Sequence, residues 1–270
     1  MARGLDHIVH AVRDLDAAAE LYRGMGFTVG ARNRHPWGTH NHIVQVAGGF
    51  FIELLTLAEP EKLGVDGFSR MFGAYNGDFL KRQEGFSLLI LESKDAAGDE
   101  QAFRSAKIAA SDVMRFDREG KRPDGSVVKV AFSLAFADDK HAPDTHFATC
   151  QQHYPENFWN PAFQKHDNGV QGVAGVVLVA DKPNEHREFV TSFFGAADAQ
   201  AIGDGFAVKT PRGDIDVMTP ASFRDTFKTT PPDVRKGARL AALRLLANSA
   251  RVIGPEKAIG AVIIFEKPGR

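Results

Sequence analysis

Among the 270 residues only Cys150 is a cysteine, so neither an intramolecular disulfide nor a cysteine-built zinc cluster can hold this chain together. That poverty points to a reducing cytoplasm. No run of about 18 apolar residues occurs, and the opening MARGLDHIVHAV lacks the charged leader, apolar core and small-residue cleavage site of an export signal. Membrane partners are therefore not expected. A surplus of charge is missing as well: 33 basic and 34 acidic side chains leave a net charge of −1. Without a basic stripe for a phosphate backbone, nucleic acid is not expected either. Several enzyme signatures are absent, among them the GxxxxGK[ST] loop and the GxSxG elbow. GMGFTVG holds glycines but neither follows a strand nor opens a helix, so it is no dinucleotide loop. What remains, 43% hydrophobic and 25% charged residues, is the make-up of an ordinary globular protein.

A repeated local order is present instead. GLDHIVHAVRD (4–14) reads as a strand, and LDAAAELYRGMG (15–26) as a helix with Asp14 placed to cap it and Gly26 to end it. Three strand-like runs follow, FTVGARN, HNHIVQV and FFIELLTL, separated by turn formers. The same order resumes at GFSLLILESKD (85–95), with a helix over DEQAFRSAKIAA, a hairpin turning at Pro123-Asp124-Gly125 and a closing strand THFATCQQHY. A third copy opens at GVAGVVLVAD (172–181) and continues through PNEHREFVTSFFG. ARLAALRLLANSA suits a helix by propensity and the first strand of another copy by position; with the closing strand AIGAVIIFE it reads as a shortened fourth copy. The Pro-, Asn- and Gly-rich stretch 155–172 suits a linker, which divides the chain into residues 1–168 and 169–270.

Within the first strand His7 interrupts an apolar run, and a histidine there is ordinarily a satisfied core side chain. The head LDHIVHAVRDLDAAAELYRGMGF, with GTHNHIVQV, FFIELLTL, CQQHYPENFW and HDNGVQGVAGVVLVADKP, resembles the glyoxalase-like members of the vicinal oxygen chelate superfamily. The resemblance covers nearly the whole chain and is weak over the last 35 or so residues. It implies an α+β fold of repeated βαβββ modules, paired into curved mixed sheets that form a cup around a divalent metal ion. The same resemblance implies one ligand on a module's first strand and another on its fourth, which here are His7 and Glu53. Adjacent strands lie about 4.8 Å apart, so side chains on one face can share an ion. A neutral imidazole and a carboxylate suit zinc, nickel, manganese or iron. Period-two alternation groups Phe51, Glu53 and Leu55 on one face, where an unpaired Glu53 is costly to bury; a metal or an arginine partner would resolve that cost.

The second copy carries Leu88 where His7 stands and the third carries Gly175, so neither supplies a ligand there. The missing ligand is sought in HFATCQQHYPE, with His153 favoured and Gln151 close behind as a substrate-facing residue. Asn41 is a candidate to hydrogen-bond substrate and Trp159 to wall a pocket. Glu53 or Glu156 is the candidate to shuttle a proton. His35, His40 and His42 form a hairpin cluster with metal-binding or simply solvated character, His10 is expected to pack, and His166 belongs to the linker. Two classes of function follow. In one, a metal held by His7, Glu53 and His153 polarises a small oxygen-chelating substrate in a lyase or isomerase reaction of glyoxalase type, with an extradiol-type dioxygenase as its enzymatic rival. In the other, the cup binds or sequesters a small molecule without metal. Four modules in one chain allow a monomer as readily as a homodimer.

Overall fold

The computed structural model describes residues 2–121 and 125–269. Its first module is β1 (Leu5–Ala11), α1 (Leu15–Gly24), β2 (Asn33–Arg34), β3 (Thr39–Val46) and β4 (Phe50–Leu57). A helical passage, with a turn of π type at Ser69–Ala74 and α2 (Tyr75–Arg82), leads to β5 (Gly85–Ser93), α3 (Ala96–Ser105), β6 (Met114–Lys121), β7 (Val127–Ala137) and β8 (His146–Gln152). After the short α4 (Pro155–Phe158) come β9 (Val170–Val179), α5 (Arg187–Phe194), β10 (Gln200–Ile202), β11 (Gly205–Val208) and β12 (Asp214–Met218). Then α6 (Pro220–Phe227) precedes β13 (Arg239–Ala247), β14 (Arg251–Ile253) and β15 (Val262–Glu266).

Strand order shows the repeat directly. One curled mixed sheet runs β2-β3-β4-β1-β5-β8-β7-β6, and the other runs β10-β11-β12-β9-β13-β15-β14. In each, the two first strands lie antiparallel at the centre and every copy closes back onto its own first strand in parallel. Residues 239–247 are strand, as position rather than propensity required, because β13 must pair with both β9 and β15. The fourth copy keeps three strands and no helix.

Local chemistry explains most boundaries. Asp14 accepts the Ala17 N–H at 3.0 Å to cap α1, and Gly26, at φ 85°, turns the chain out of it. FTVGARN is extended but pairs as a strand only at Asn33–Arg34. The reason is a tie to another segment: Thr28 donates its N–H to His166 Nδ1 and its hydroxyl to the Lys165 carbonyl, so this stretch clamps the segment after β8 instead of joining the sheet. The β6–β7 hairpin pairs in register from Met114 opposite Leu134 to Lys121 opposite Val127; Pro123 and Asp124 of its expected turn lie outside the described residues.

The convex faces of both sheets, with α1, α3 and α5, enter one apolar core that joins Ile8, Phe86, Leu89 and Phe147 to Leu178, Phe193, Leu243 and Phe265. The concave face of the first sheet is left as a separate cup, floored by Val9, Leu88, Ile90 and Ala148. His10 belongs to the core side. Its Nδ1 meets the Tyr22 hydroxyl at 2.8 Å and its Nε2 the Ile259 carbonyl at 2.9 Å, which pins the first sheet to the second half of the chain.

Burial holds the His10 pKa down to about 4 against an ordinary 6.5, so the unfolded chain takes up its proton first as pH falls. The contribution is whole above pH 6.5 and drains away down to about pH 4. His146 behaves alike, also near 4. Urea denaturation across that window is therefore expected to show falling stability, and His10→Gln is expected to flatten the slope by about 1.4 kcal/mol per pH unit.

Candidate active site

The cup's polar floor begins with an irregularity. Leu5 pairs with Leu91 and His7 with Ile90, so β1 carries one extra residue against β5. This bulge turns Asp6 and His7 to the same side. Asp6 Oδ1 receives His7 Nδ1–H at 2.5 Å, and Asp6 Oδ2 accepts Gln152 Nε2–H at 2.9 Å. Phe51 stacks on the imidazole with ring centroids 4.1 Å apart, fixing its plane. With Nδ1 occupied, Nε2 is the nitrogen left for chemistry, and it lies 3.9 Å from Glu53 Oε2. Parallel pairing of β1 with β4 sets Glu53 opposite Val9, diagonal to His7 on the same face.

Glu53 is anchored from the other side. Asn41 on β3 donates to Glu53 Oε1 at 2.5 Å, turns its second amide hydrogen to His35 Nε2 at 3.5 Å and accepts Asn33 Nδ2–H at 3.1 Å. His35 is held through Nδ1 by the Thr39 hydroxyl at 2.8 Å. Burial raises the Glu53 pKa; the nearby His7, the Asn41 hydrogen bond and Arg118 oppose that rise. The His35 pKa is pushed down to about 3 by burial and by Arg118, so its ring is neutral. The floor is thus a chain of polar groups from Asp6 through His7, Glu53 and Asn41 to His35.

Above it, the walls are apolar. The hollow leaves about 80 Å³ and is walled chiefly by Trp37, Phe68, Phe72, Phe116 and Phe132. Trp37 is stacked between His35 and Phe68 at 4.7 and 4.8 Å. The π-type turn supplies Phe72, an irregular helical geometry that recurs at functional sites. Beyond Ile43, Arg118 and Phe158, which line both spaces, an outer chamber of about 520 Å³ opens between the hairpins and residues 156–163.

Of the residues singled out in the sequence, His7, Glu53 and Asn41 meet in this hollow. The expected three-ligand centre is corrected by the placement of His153. Its Nε2 bonds the Ser133 hydroxyl at 2.8 Å, and Ser133 alternates with Phe132 and Leu134, so His153 lies on the convex side away from His7. Gln151 is on that side too, spending its amide on the Lys94 carbonyl and the Ala96 N–H. Glu156 and Trp159 line the outer chamber and not the hollow, although Trp159 packs edge-on against Phe51, the ring that supports His7, with centroids 5.9 Å apart. The histidine hairpin splits: His35 faces the cup, whereas His40 pairs with Glu59 and His42 with the Gly30 carbonyl on the opposite face. His166 bridges Thr28 and the Gln45 carbonyl.

Asp6, Gln152 and Arg118 were missed. Asp6 had a signal: strict alternation sends it into the apolar core, and a charge that cannot be buried there marks a bulge. Arg118 had one too, since it alternates with Phe116 on a hairpin strand.

The approximate two-fold between β1 and β5 puts Leu88 at the His7 position and Ala148 at that of Glu53. The third copy has Gly175 and Asp216 in the same places, and there Arg244 pairs with Asp216 and with Glu266. Paired βαβββ modules in curled mixed sheets are the architecture of the vicinal oxygen chelate superfamily. The sequence profile of the family described as glyoxalase-like domain matches residues 5–194, and the chain belongs to that family. No curated protein matches it in sequence. Among solved structures it resembles a hypothetical protein from Staphylococcus aureus, at TM-score 0.71 and 16% identity over 99% of this chain and 100% of that one. A mutant of 4-hydroxymandelate synthase from Streptomyces coelicolor gives 0.52 and 10% over 92% and 72%. The Mn(II)-bound glyoxalase from Novosphingobium aromaticivorans gives 0.50 and 11% over 98% and 82%. At these identities the likeness is one of fold.

The superfamily implies a divalent ion in the cup, and the donors available argue against a complete protein-held centre. No group of three His, Cys, Asp or Glu residues converges among the described residues. His7 and Glu53 supply two donors, the second module offers Leu88 and Ala148, and burial raises the Cys150 thiol pKa well above the usual value, so it stays protonated.

Because the Asn41 N–H favours the ionised carboxylate, its loss leaves burial less opposed. Carboxyl carbon NMR is expected to place the Glu53 midpoint above its ordinary 4.5, and Asn41→Ala to move it higher still.

Proposed function

We propose that this chain is a glyoxalase-like enzyme that moves a proton at a carbon beside an oxygen function of a small molecule bound in the cup. The observation that carries the reading is the approach of His7 Nε2 to Glu53 Oε2, 3.9 Å, in an apolar hollow where each group's far side is already fixed, by Asp6 and by Asn41. Asp6 orients the imidazole so that Nε2 faces the hollow as the base, as a carboxylate behind a histidine does elsewhere. Glu53, whose protonated form burial favours, donates to the neighbouring carbonyl oxygen. The carbon–hydrogen electron pair then forms the enol double bond as the carbonyl oxygen takes the Glu53 proton; in a 2-hydroxy ketone, Glu53 next takes the proton of the neighbouring hydroxyl while His7 returns its proton to the former carbonyl carbon, which completes an isomerisation and restores both groups. Exclusion of water by the aromatic walls strengthens each of these electrostatic contacts.

A second reading, a metal-free binding or sequestering protein, is favoured by one observation. The second module has Leu88 and Ala148 where the first has His7 and Glu53, so it lacks the histidine–glutamate pair at the equivalent positions.

Incubation in heavy water with a panel of small 2-oxo acids and 2-hydroxy ketones distinguishes the two. Deuterium is expected to enter beside the carbonyl, read by proton NMR, and His7→Ala and Glu53→Gln each to slow it by about 100-fold or more. Wild-type exchange in both variants refutes the acid–base pair. Exchange in EDTA-treated protein is expected to persist; abolition by EDTA with recovery in Mn2+ would instead make His7 and Glu53 two donors to a cation. Ligand binding without any exchange supports sequestration.

A further inference from the structure

Arg118 projects from β6 on the same face as Phe116, at the neck where the hollow meets the outer chamber, and lines both. It is half-buried. The other half-buried arginines among the described residues all have acceptors: Arg3 has Asp99, Arg212 has Glu92, Arg239 has Gln83 and Asp144, Arg244 has Asp216 and Glu266, and Arg187 has Asn184 and the Ala199 carbonyl. Arg118 alone forms neither ion pair nor hydrogen bond with a described residue. Its nearest counter-charge in the cup is Glu53, which already holds Asn41 and faces His7. A half-buried guanidinium with no acceptor among the described residues keeps its donors free for a ligand, and its planar fork matches a carboxylate in two parallel hydrogen bonds.

We propose that the molecule taken by the cup is a small organic acid, its carboxylate clamped by Arg118 at the neck and its apolar body lying against the aromatic walls. This rests on the reading of the hollow as the substrate site. The clamp fixes which end of the molecule reaches His7 and Glu53, so Arg118 sets specificity and orientation, and the neutral floor of Asn41 and His35 leaves it the positive charge that an anion meets on entry.

The full-length protein is to be titrated with benzoate and 3-phenylpropionate and with their uncharged amides, benzamide and 3-phenylpropanamide, by ligand-observed NMR or calorimetry. The acids are expected to bind at least about tenfold more tightly than the amides. Arg118→Gln is expected to abolish that preference while amide binding stays, and Arg118→Lys, which keeps the charge without the fork, to restore part of it. A preference that survives Arg118→Gln, acids and amides that bind alike, or no acid binding at all each overturns the proposal. Because binding is the readout, its failure is separable from that of the proton-transfer reading: if exchange in heavy water ignores His7→Ala and Glu53→Gln while Arg118→Gln removes the acid preference, the proton-transfer reading falls and the carboxylate clamp stands.

Discussion

The extra residue in β1 is the constraint on which the hollow depends. Without it, alternation would send Asp6 into the core between the sheets and leave His7 with no partner behind it. With it, two successive polar side chains share the concave face, and the pair Asp6–His7 is bonded before any ligand arrives. Every further contact in the floor is placed by that step: Gln152 reaches across from β8 to the second Asp6 oxygen, Phe51 supports the ring, and Nε2 is turned toward Glu53. A bulge is a small backbone irregularity, but it decides which face a charge occupies.

The repeated modules show how one position is solved in different ways. At the residue that pairs beside the central strand, the first copy has Glu53, the second Ala148 and the third Asp216. Burial raises the carboxyl pKa at both acidic positions, and the resolutions differ. Asp216 is neutralised by Arg244, which Glu266 shares, and the second sheet's cup is thereby committed to structure. Glu53 receives only an amide and a neighbouring imidazole, neither of which brings a fixed positive charge. A carboxyl kept in that unsettled state beside an oriented base is the arrangement found where protons are moved. Meanwhile Arg118, the one fixed cation that lines the hollow among the described residues, stands apart at the neck.

The two faces of the first sheet accordingly have opposite tasks. Its convex side carries His10, bonded to Tyr22 and Ile259 and held neutral, as part of a core common to both sheets. Three residues earlier on the same strand His7 faces the cup. Two histidines in one apolar strand therefore divide between the packed role expected of such residues and a ligand-facing one; a second register shift, opposite Val9 and His10, puts its extra residue, Ser87, on β5.

The amino-acid order determined the module repeat, because period-two runs, an N-capped helix and glycine stops are local events written within about 10 residues of one another. It determined the identity of the fourth copy's first strand only through position, since its Leu- and Ala-rich composition favours helix. It also put Glu53 and His7 forward as a pair, through polar residues in apolar strands. Only the tertiary structure decided that His153 and Gln151 face away: the parity of β8 against β7 places them on the convex side, and no local pattern states which face of a buried sheet is the hollow one. Asp6, Asn41 and Arg118 likewise acquired their places through pairing across β1–β5, β3–β4 and β6–β7, because a strand's side-chain direction is fixed by its partners and its irregularities rather than by its own composition.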